Sequence, residues 1–247
     1  MTIKNPFSLS GFGVSGIIAA ALLASGTYGA GWHIADGLEN MKRGERQVSI
    51  RGVAEEFVVA DSVGWTINFT ASGDALATVL AKIQRDQTTI VEFLTAYGFT
   101  AEEITPGRLS VVDLLAQQYR TGDVQSNRYI ITASVQVRSN KVDSAVKANR
   151  SMTELVKKEV VLADSAGPQY RFTKLNDVKP AMLASATQEA RKAADEFVKT
   201  SGASLGELKT ASQGLFSIEG RDETVSESEQ VDKKVRVVTT LEYFLAD

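Results

Sequence analysis

The chain has no cysteine, and His33 is its single histidine. Disulfides, thiolate metal sites and cysteine nucleophiles are therefore excluded, as are a multi-histidine metal site and a serine–histidine triad. The redox compartment stays undetermined. A basic cluster is also absent, since the net charge is -3 and the isoelectric point is near 5.4. Because binding to phosphate backbones needs a clustered Lys/Arg surface, the composition argues against nucleic acid as a partner.

An uncharged stretch lies near the amino terminus. No charged side chain occurs between Lys4 and Asp36, and residues 14–34 are mostly apolar or small. As a helix, this stretch would extend about 31 Å, close to the roughly 30 Å hydrocarbon thickness of a bilayer. We predict that residues 1–35 form a transmembrane anchor. The alternative is a cleaved secretory signal, although such signals usually have a shorter apolar core and a more basic start.

After a polar linker over residues 36–46, the segment 47–69 predicts two strands folded against each other as a hairpin. In the second strand, apolar side chains at alternate positions share one face. These side chains are Val63, Trp65, Ile67 and Phe69. Trp65 lies in the middle of that strand, so we expect it to be buried. Because a hairpin alone is marginally stable, the rest of the chain must cover this face.

Three amphipathic helices are predicted by apolar residues at helical spacing. The first follows a turn at residues 72–74 and ends at Gly98, and the second covers about residues 141–160. The third is entered through residues 176–177, has Pro180 near its first turn and ends before Gly202, and its many alanines predict close packing on a sheet. Further strands are predicted around residues 108–119, 128–138, 169–175, 205–218 and 235–245. Because each helix has an apolar stripe and each strand pair a face to receive it, residues 47–247 should fold alone as one α+β unit.

Acidic side chains are the candidates for a catalytic or metal site. Residues 219–232 carry six acidic residues, but their spacing does not match a calcium loop, so we interpret this segment as an exposed acidic loop. Nothing in the spacing of the other candidates pairs a raised-pKa acid with a base. Those candidates are Glu55, Glu56, Asp61 and Asp113. We therefore predict no catalytic, cofactor-binding or metal-binding residue and no cofactor.

Several segments resemble the SIMPL-domain family, the YggE-like bacterial envelope proteins. The similar segments are residues 50–55, 167–170, 175–177, 179–182, 211–218 and 235–240. Among them, the QGLFSI segment at residues 213–218 is fairly specific. The resemblance covers residues 47–247 and implies an α+β fold of antiparallel strand pairs packed with three helices. It also implies a location in the periplasm and a poorly defined envelope role, associated in places with stress tolerance.

The resemblance transfers no catalytic residue, and some relatives assemble into large homo-oligomers. Our leading hypothesis is a membrane-anchored, non-enzymatic envelope protein acting through self-assembly or an unknown envelope protein partner. A first alternative is a receptor for a small molecule or peptide, using a groove between helices and sheet with Asn176 and Gln213 at its mouth. Both residues have a simpler explanation in turn and strand-end hydrogen bonding. A hydrolase is the third hypothesis and would need two carboxylates converging in one pocket.

The side of the membrane is the point where two arguments disagree. Lys4 and the terminal amine precede the predicted span, whereas Lys42, Arg43 and Arg46 follow it. By the positive-inside rule, this distribution would place the domain in the cytoplasm. The family resemblance places it outside the inner membrane. We expect a periplasmic domain, because the charge rule is a bias and the resemblance extends over the whole domain.

Overall fold

The structure, a computed structural model, describes residues 46–116, 127–164 and 166–246. Within these ranges the chain forms, in order, β1 (Gln47–Val59), β2 (Ser62–Gly73), α1 (Leu76–Ala96), β3 (Ile104–Asp113), β4 (Tyr129–Ser139), α2 (Val142–Arg150), α3 (Thr153–Lys157), β5 (Val161–Leu162), β6 (Gln169–Arg171), α4 (Leu175–Ser201), β7 (Ser204–Gln213), β8 (Ser217–Gly220) and β9 (Asp232–Ala246). The α+β class is therefore confirmed. The predicted anchor at residues 1–35 lies outside the described residues. None of the described helices is long and apolar enough to cross a membrane.

The chain divides into two compact units. The described parts of unit 1 are residues 46–52, 188–212 and 239–246. Unit 2 contains the described parts of residues 53–187 together with residues 213–238. The boundaries fall inside β1, α4, β7 and β9, so each of these four elements contributes residues to both units.

Unit 2 contains a five-stranded antiparallel sheet with the strand order β3-β4-β2-β5, in which β6 also pairs with β2. The alternating apolar residues of β2 face the core and are at most 3% exposed. They pack with α1, whose buried residues include Ile83, Ile90 and Leu94. Trp65 is 3% exposed, which confirms its predicted burial.

The first predicted helix is confirmed as α1, and Gly98 follows its end with a φ of +95°. The prediction of one helix over residues 141–160 is wrong, because α2 and α3 are separate there. Between them, the N–H groups of Ser151 and Met152 bond to carbonyls three residues earlier, which tightens the turn. Ser and Thr side chains compete for backbone hydrogen bonds, and this weakens helix propagation through residues 151–153.

The predicted hairpin of β1 and β2 is also wrong. The two strands follow each other through a turn at Ala60 and Asp61, but they belong to different sheets. The Ala60 N–H donates to the Val231 carbonyl at 2.8 Å, at the start of the pairing between β1 and β9. At the same turn, the Asp61 carboxylate accepts hydrogen bonds from the Thr173 N–H and hydroxyl at 2.9 and 3.0 Å. Strand alternation predicted the core face of β2 but not the pairing of β1 and β2, because alternation carries no information about which strand lies alongside. It also did not predict that Phe57 and Val59 of β1 are exposed.

A second sheet has the strand order β1-β9-β7, and β8 also pairs with β9. In unit 2, Met182 and Ala186 of α4 pack against Val235 and Val237 of β9. In unit 1, Ala190 and Ala194 of the same helix form a cluster with Leu241 and Tyr243. These contacts confirm that the alanines of the third predicted helix pack closely on a sheet. The helix is followed by Gly202 with a φ of +71°, as predicted for its stop.

Candidate interaction surface

The carboxylates considered for catalysis have separate partners. Glu55 lies 3.6 Å from Arg236, and Asp61 accepts the hydrogen bonds from Thr173. Asp113 accepts from Arg128 through Nε at 3.1 Å and Nη2 at 2.9 Å, and these hydrogen bonds lower the Asp113 pKa. A lowered pKa is the opposite of what a general acid requires. No described contact brings any two of the four candidate carboxylates together.

The acidic segment at residues 219–232 is held by neighbouring side chains and backbone. Glu219 receives hydrogen bonds from Ser217 and Lys234, which lower its pKa. The Thr224 N–H and hydroxyl bond to Asp222 and lower its pKa. Across residues 46–116, 127–164 and 166–246, no group of three or more His, Asp or Glu side chains is arranged to hold a metal.

Lys233 of β9 binds Glu227 of this acidic segment. It lies at the start of β9 and is 0% exposed, on the same side of the strand as Val235 and Val237. Its ammonium contacts the Glu227 carboxylate at 2.6 Å and also bonds to the Glu227 carbonyl. Sequence reasoning missed this buried cation, although the alternation of residues 233, 235 and 237 was the available signal.

The two residues expected at a receptor mouth are not joined by any described contact. Asn176 lies in the first turn of α4 and accepts a hydrogen bond from Lys179 at 2.9 Å. The Lys179 ammonium also lies 5.8 Å from the centre of the Phe216 ring. Gln213 is exposed at the end of β7, and its side chain has no hydrogen-bond partner within the described ranges. The hydrogen bond of Asn176 agrees with its simpler explanation, whereas Gln213 shows no side-chain hydrogen bond in the described part of the chain.

The part of β1 in unit 2 carries apolar side chains on its solvent side. Val53, Phe57 and Val59 are 38%, 67% and 60% exposed, and we call these three residues the β1 outer stripe. They occupy odd positions and therefore share one face of the strand. The Arg221 guanidinium lies 5.6 Å from the centre of the Phe57 ring. The opposite face includes the buried Ala54.

The position of β1 in its sheet adds unpaired backbone groups to this surface. Of the strands described, β1 pairs only with β9, which leaves one edge of β1 free. Edge strands present a row of unpaired N–H and C=O groups and are often blunted by proline or a bulge. The edge strand β3 of the other sheet has both devices, Pro106 and a register shift between Pro106 and Leu109. The residues 53–59 of β1 include no proline.

These features define an α+β protein of antiparallel sheets with an exposed edge strand and no assembled catalytic group within the described residues. A family profile, SIMPL, described as a protein of unknown function (DUF541), matches residues 48–243. The chain belongs to the SIMPL family, which confirms the resemblance drawn from the sequence. None of the curated proteins matches the chain. Among solved structures, an uncharacterized conserved protein from Listeria innocua is 12% identical, covering 75% of this chain and 92% of that chain with a TM-score of 0.22.

Proposed function

We propose that this chain is a membrane-anchored protein of the bacterial cell envelope that acts without enzymatic activity, through self-assembly at the edge of β1. The soluble part is residues 47–247 and lies in the periplasm, where it contributes to stress tolerance. An unidentified envelope protein bound at the same edge is the alternative occupant. The family match identifies residues 48–243 as a SIMPL domain, a family whose function is unknown. The membrane anchor, the periplasmic location and the self-assembly are what we propose in addition.

The β1 outer stripe is the observation that carries the proposal. Fully burying a Val or Phe side chain stabilises an assembly by about 1.5–3 kcal/mol relative to leaving it in water. Phe57 and Val59 are more than half exposed, so most of this energy is unused in the single chain. An added strand would also satisfy the free backbone groups of β1. Two copies joined through this edge would form a symmetric contact, in which the same surface of each chain is covered.

The separate partners of Glu55, Asp61 and Asp113 support a non-enzymatic role. A hydrolase reading requires two carboxylates that face one pocket with different pKa values. Here the described partners are an arginine for Glu55, a threonine for Asp61 and a bidentate arginine for Asp113.

The test is the native mass of the full 247-residue chain in a neutral detergent, compared with the mass of 26.6 kDa for one chain. We expect a multiple of that mass. Val59→Asp should reduce it to a single chain, because a charge cannot be buried at the contact without a large desolvation cost. Val156→Asp is the matched control, since Val156 is 57% exposed but lies on α3.

Two results would contradict the proposal. One is a single-chain mass at every concentration, with no envelope protein cross-linked to the chain in a cell-envelope extract. The other is an equal effect, or no effect, of both Asp substitutions, which would exclude the β1 outer stripe as the contact.

A further inference from the structure

The outer face of the five-stranded sheet contains a polar cavity of about 270 Å³. Its floor is Gly64 in β2, which lies opposite Arg138 of β4 on one side and Gln169 of β6 on the other. Side chains directly opposite each other in antiparallel strands project from the same face. Arg138 and Gln169 therefore flank the glycine. Arg171 lies opposite Ser62, two residues away on that face, and also lines the cavity.

Gly64 has no structural reason to be a glycine. A Cβ atom at this position would meet nothing within 4 Å, so no close contact requires its absence. The φ angle of Gly64 also lies outside the left-handed region that favours glycine. A glycine inside a strand weakens the strand and often marks a place where a ligand approaches closely. Here the missing side chain forms the floor of a cavity.

Two arginines of the lining have guanidinium groups without a polar partner in the described part of the chain. Neither Arg138 nor Arg171 has a side-chain hydrogen bond or ion pair within the described residues, whereas Arg128 and Arg236 are paired with carboxylates. With strands about 4.8 Å apart and a rise of about 3.4 Å per residue, the two α-carbons are about 12 Å apart across β2. Two extended arginine side chains can cover that distance and meet over the cavity. Asp164 is the acidic residue among the lining residues, so the lining has an excess of positive charge.

Other residues of the lining can form hydrogen bonds with the hydroxyl groups of a ligand. Thr66 of β2 lies opposite Gln136 of β4, and both residues line the cavity with Gln169. Their hydroxyl and amide groups can each donate and accept hydrogen bonds. A volume of about 270 Å³ equals the liquid volume of roughly nine water molecules. This is room for a molecule the size of a single sugar.

We infer that this cavity binds a small hydroxylated acid, whose carboxylate or phosphate group is held by Arg138 and Arg171. A guanidinium presents paired donors that match both kinds of oxyanion. The hydroxyls of the ligand bond to the Thr and Gln side chains. This binding is independent of the β1 edge, because every residue it uses lies in β2, β4 or β6.

The test is calorimetric titration of the full 247-residue chain in neutral detergent with glucose 6-phosphate, glucuronate, citrate, inorganic phosphate and glucose. We expect saturable binding of at least one acid and none of neutral glucose, and the phosphate and carboxylate compounds distinguish the two oxyanions. Arg138→Gln and Arg171→Gln should each weaken that binding at least about tenfold. Arg191→Gln, an exposed arginine on α4, should leave it unchanged.

A steric variant separates ligand binding from folding. Gly64→Val should abolish binding because it fills the floor, while the melting temperature stays equal or rises, since valine favours strands more than glycine does. The inference is overturned if no acid binds saturably at millimolar concentration. It is also overturned if the Gln variants, or a folded Gly64→Val variant, bind the acid as tightly as the natural chain.

Discussion

Strands β1 and β2 are neighbours in sequence, contain 13 and 12 residues, and each has a more buried face and a more exposed face. Their surroundings differ. Trp65 of β2 is 3% exposed, whereas Phe57 of β1 is 67% exposed. The reason is the layer that covers each face, because Trp65 lies on the face of β2 that packs with α1, whereas Phe57 lies on the solvent side of β1. Alternation thus identifies the two faces of a strand, and the elements packed on each face decide which one is covered.

The largest expected difference between the two strands concerns their aromatic residues. Trp65→Ala should lower the free energy of unfolding by about 3–5 kcal/mol, the usual cost of emptying a large buried aromatic site. Phe57→Ala should change it by about 0.5 kcal/mol or less, because the ring is mostly in water. Denaturant unfolding followed by far-ultraviolet circular dichroism measures both. If Phe57→Ala lowered the free energy of unfolding as much as Trp65→Ala does, the Phe57 ring could not be mostly in water.

Proline tests the pairing of the two strands directly. Gly64 is paired with β4 on one side and with β6 on the other, so its N–H faces a paired strand whichever way it points. Gly64→Pro should therefore lower the free energy of unfolding by about 1–3 kcal/mol more than Val53→Pro does. The Ala60 N–H points to β9, so by alternation the Val53 N–H points to the free edge. The same unfolding measurement applies. Equal costs would show that the edge of β1 is paired.

The stability of the fold should depend on pH through Glu103, which bonds to Ser139 at the end of β4. Burial raises the pKa of Glu103, but hydrogen bonds from Lys141, Ser139 and the Thr100 N–H outweigh it and lower the pKa from 4.5 to about 2. A lowered carboxyl pKa stabilises the fold above the unfolded pKa and loses that effect as pH falls.

The natural chain should therefore be more stable than Glu103→Gln at neutral pH, and the difference should shrink between pH 4.5 and about 2. Unfolding curves across this range provide the measurement. Glu56→Gln, a change on the exposed part of β1, is the matched control. A difference that does not vary with pH would contradict the role of these hydrogen bonds.

Removal of residues 1–46 tests whether both strands belong to a domain that folds alone. We expect the remaining residues 47–247 to be soluble and to melt cooperatively, because their helices and strands form buried clusters of apolar side chains with one another. Light scattering and calorimetry check the two properties. Aggregation in several buffers would mean that the amino-terminal segment is required for folding.

The smallest effect on stability is expected from the test of sidedness. Ser226→Cys places a thiol in the exposed acidic segment of a chain without cysteine, next to the short 3-10 helix Glu227–Glu229. In intact cells, a thiol reagent that enters the periplasm but not the cytoplasm should label it. Ala186→Cys, at a position that is 0% exposed, should stay unlabelled in the folded protein. Labelling of Ser226→Cys only after the inner membrane is broken would contradict the periplasmic location.

Local patterns in the sequence determined the class of the fold and several of its details. The alternation around Trp65 identified a buried strand face, and the apolar spacing identified α1. Gly98 and Gly202 marked the ends of two helices, because glycine adopts the positive φ that a helix stop requires. Each of these signals acts within a few residues, so no knowledge of the rest of the chain is needed.

The tertiary structure decided which distant residues those segments contact. Ala60 bonds to Val231, Lys233 binds Glu227 from a buried position, and Gly64 becomes a cavity floor only between β4 and β6. Strand pairing depends on which combination of faces buries the most apolar surface while satisfying the backbone, and that choice involves residues far apart in sequence. A periodic pattern shows which residues share a face of each strand. The neighbour across that face is determined only when all the strands compete for one core.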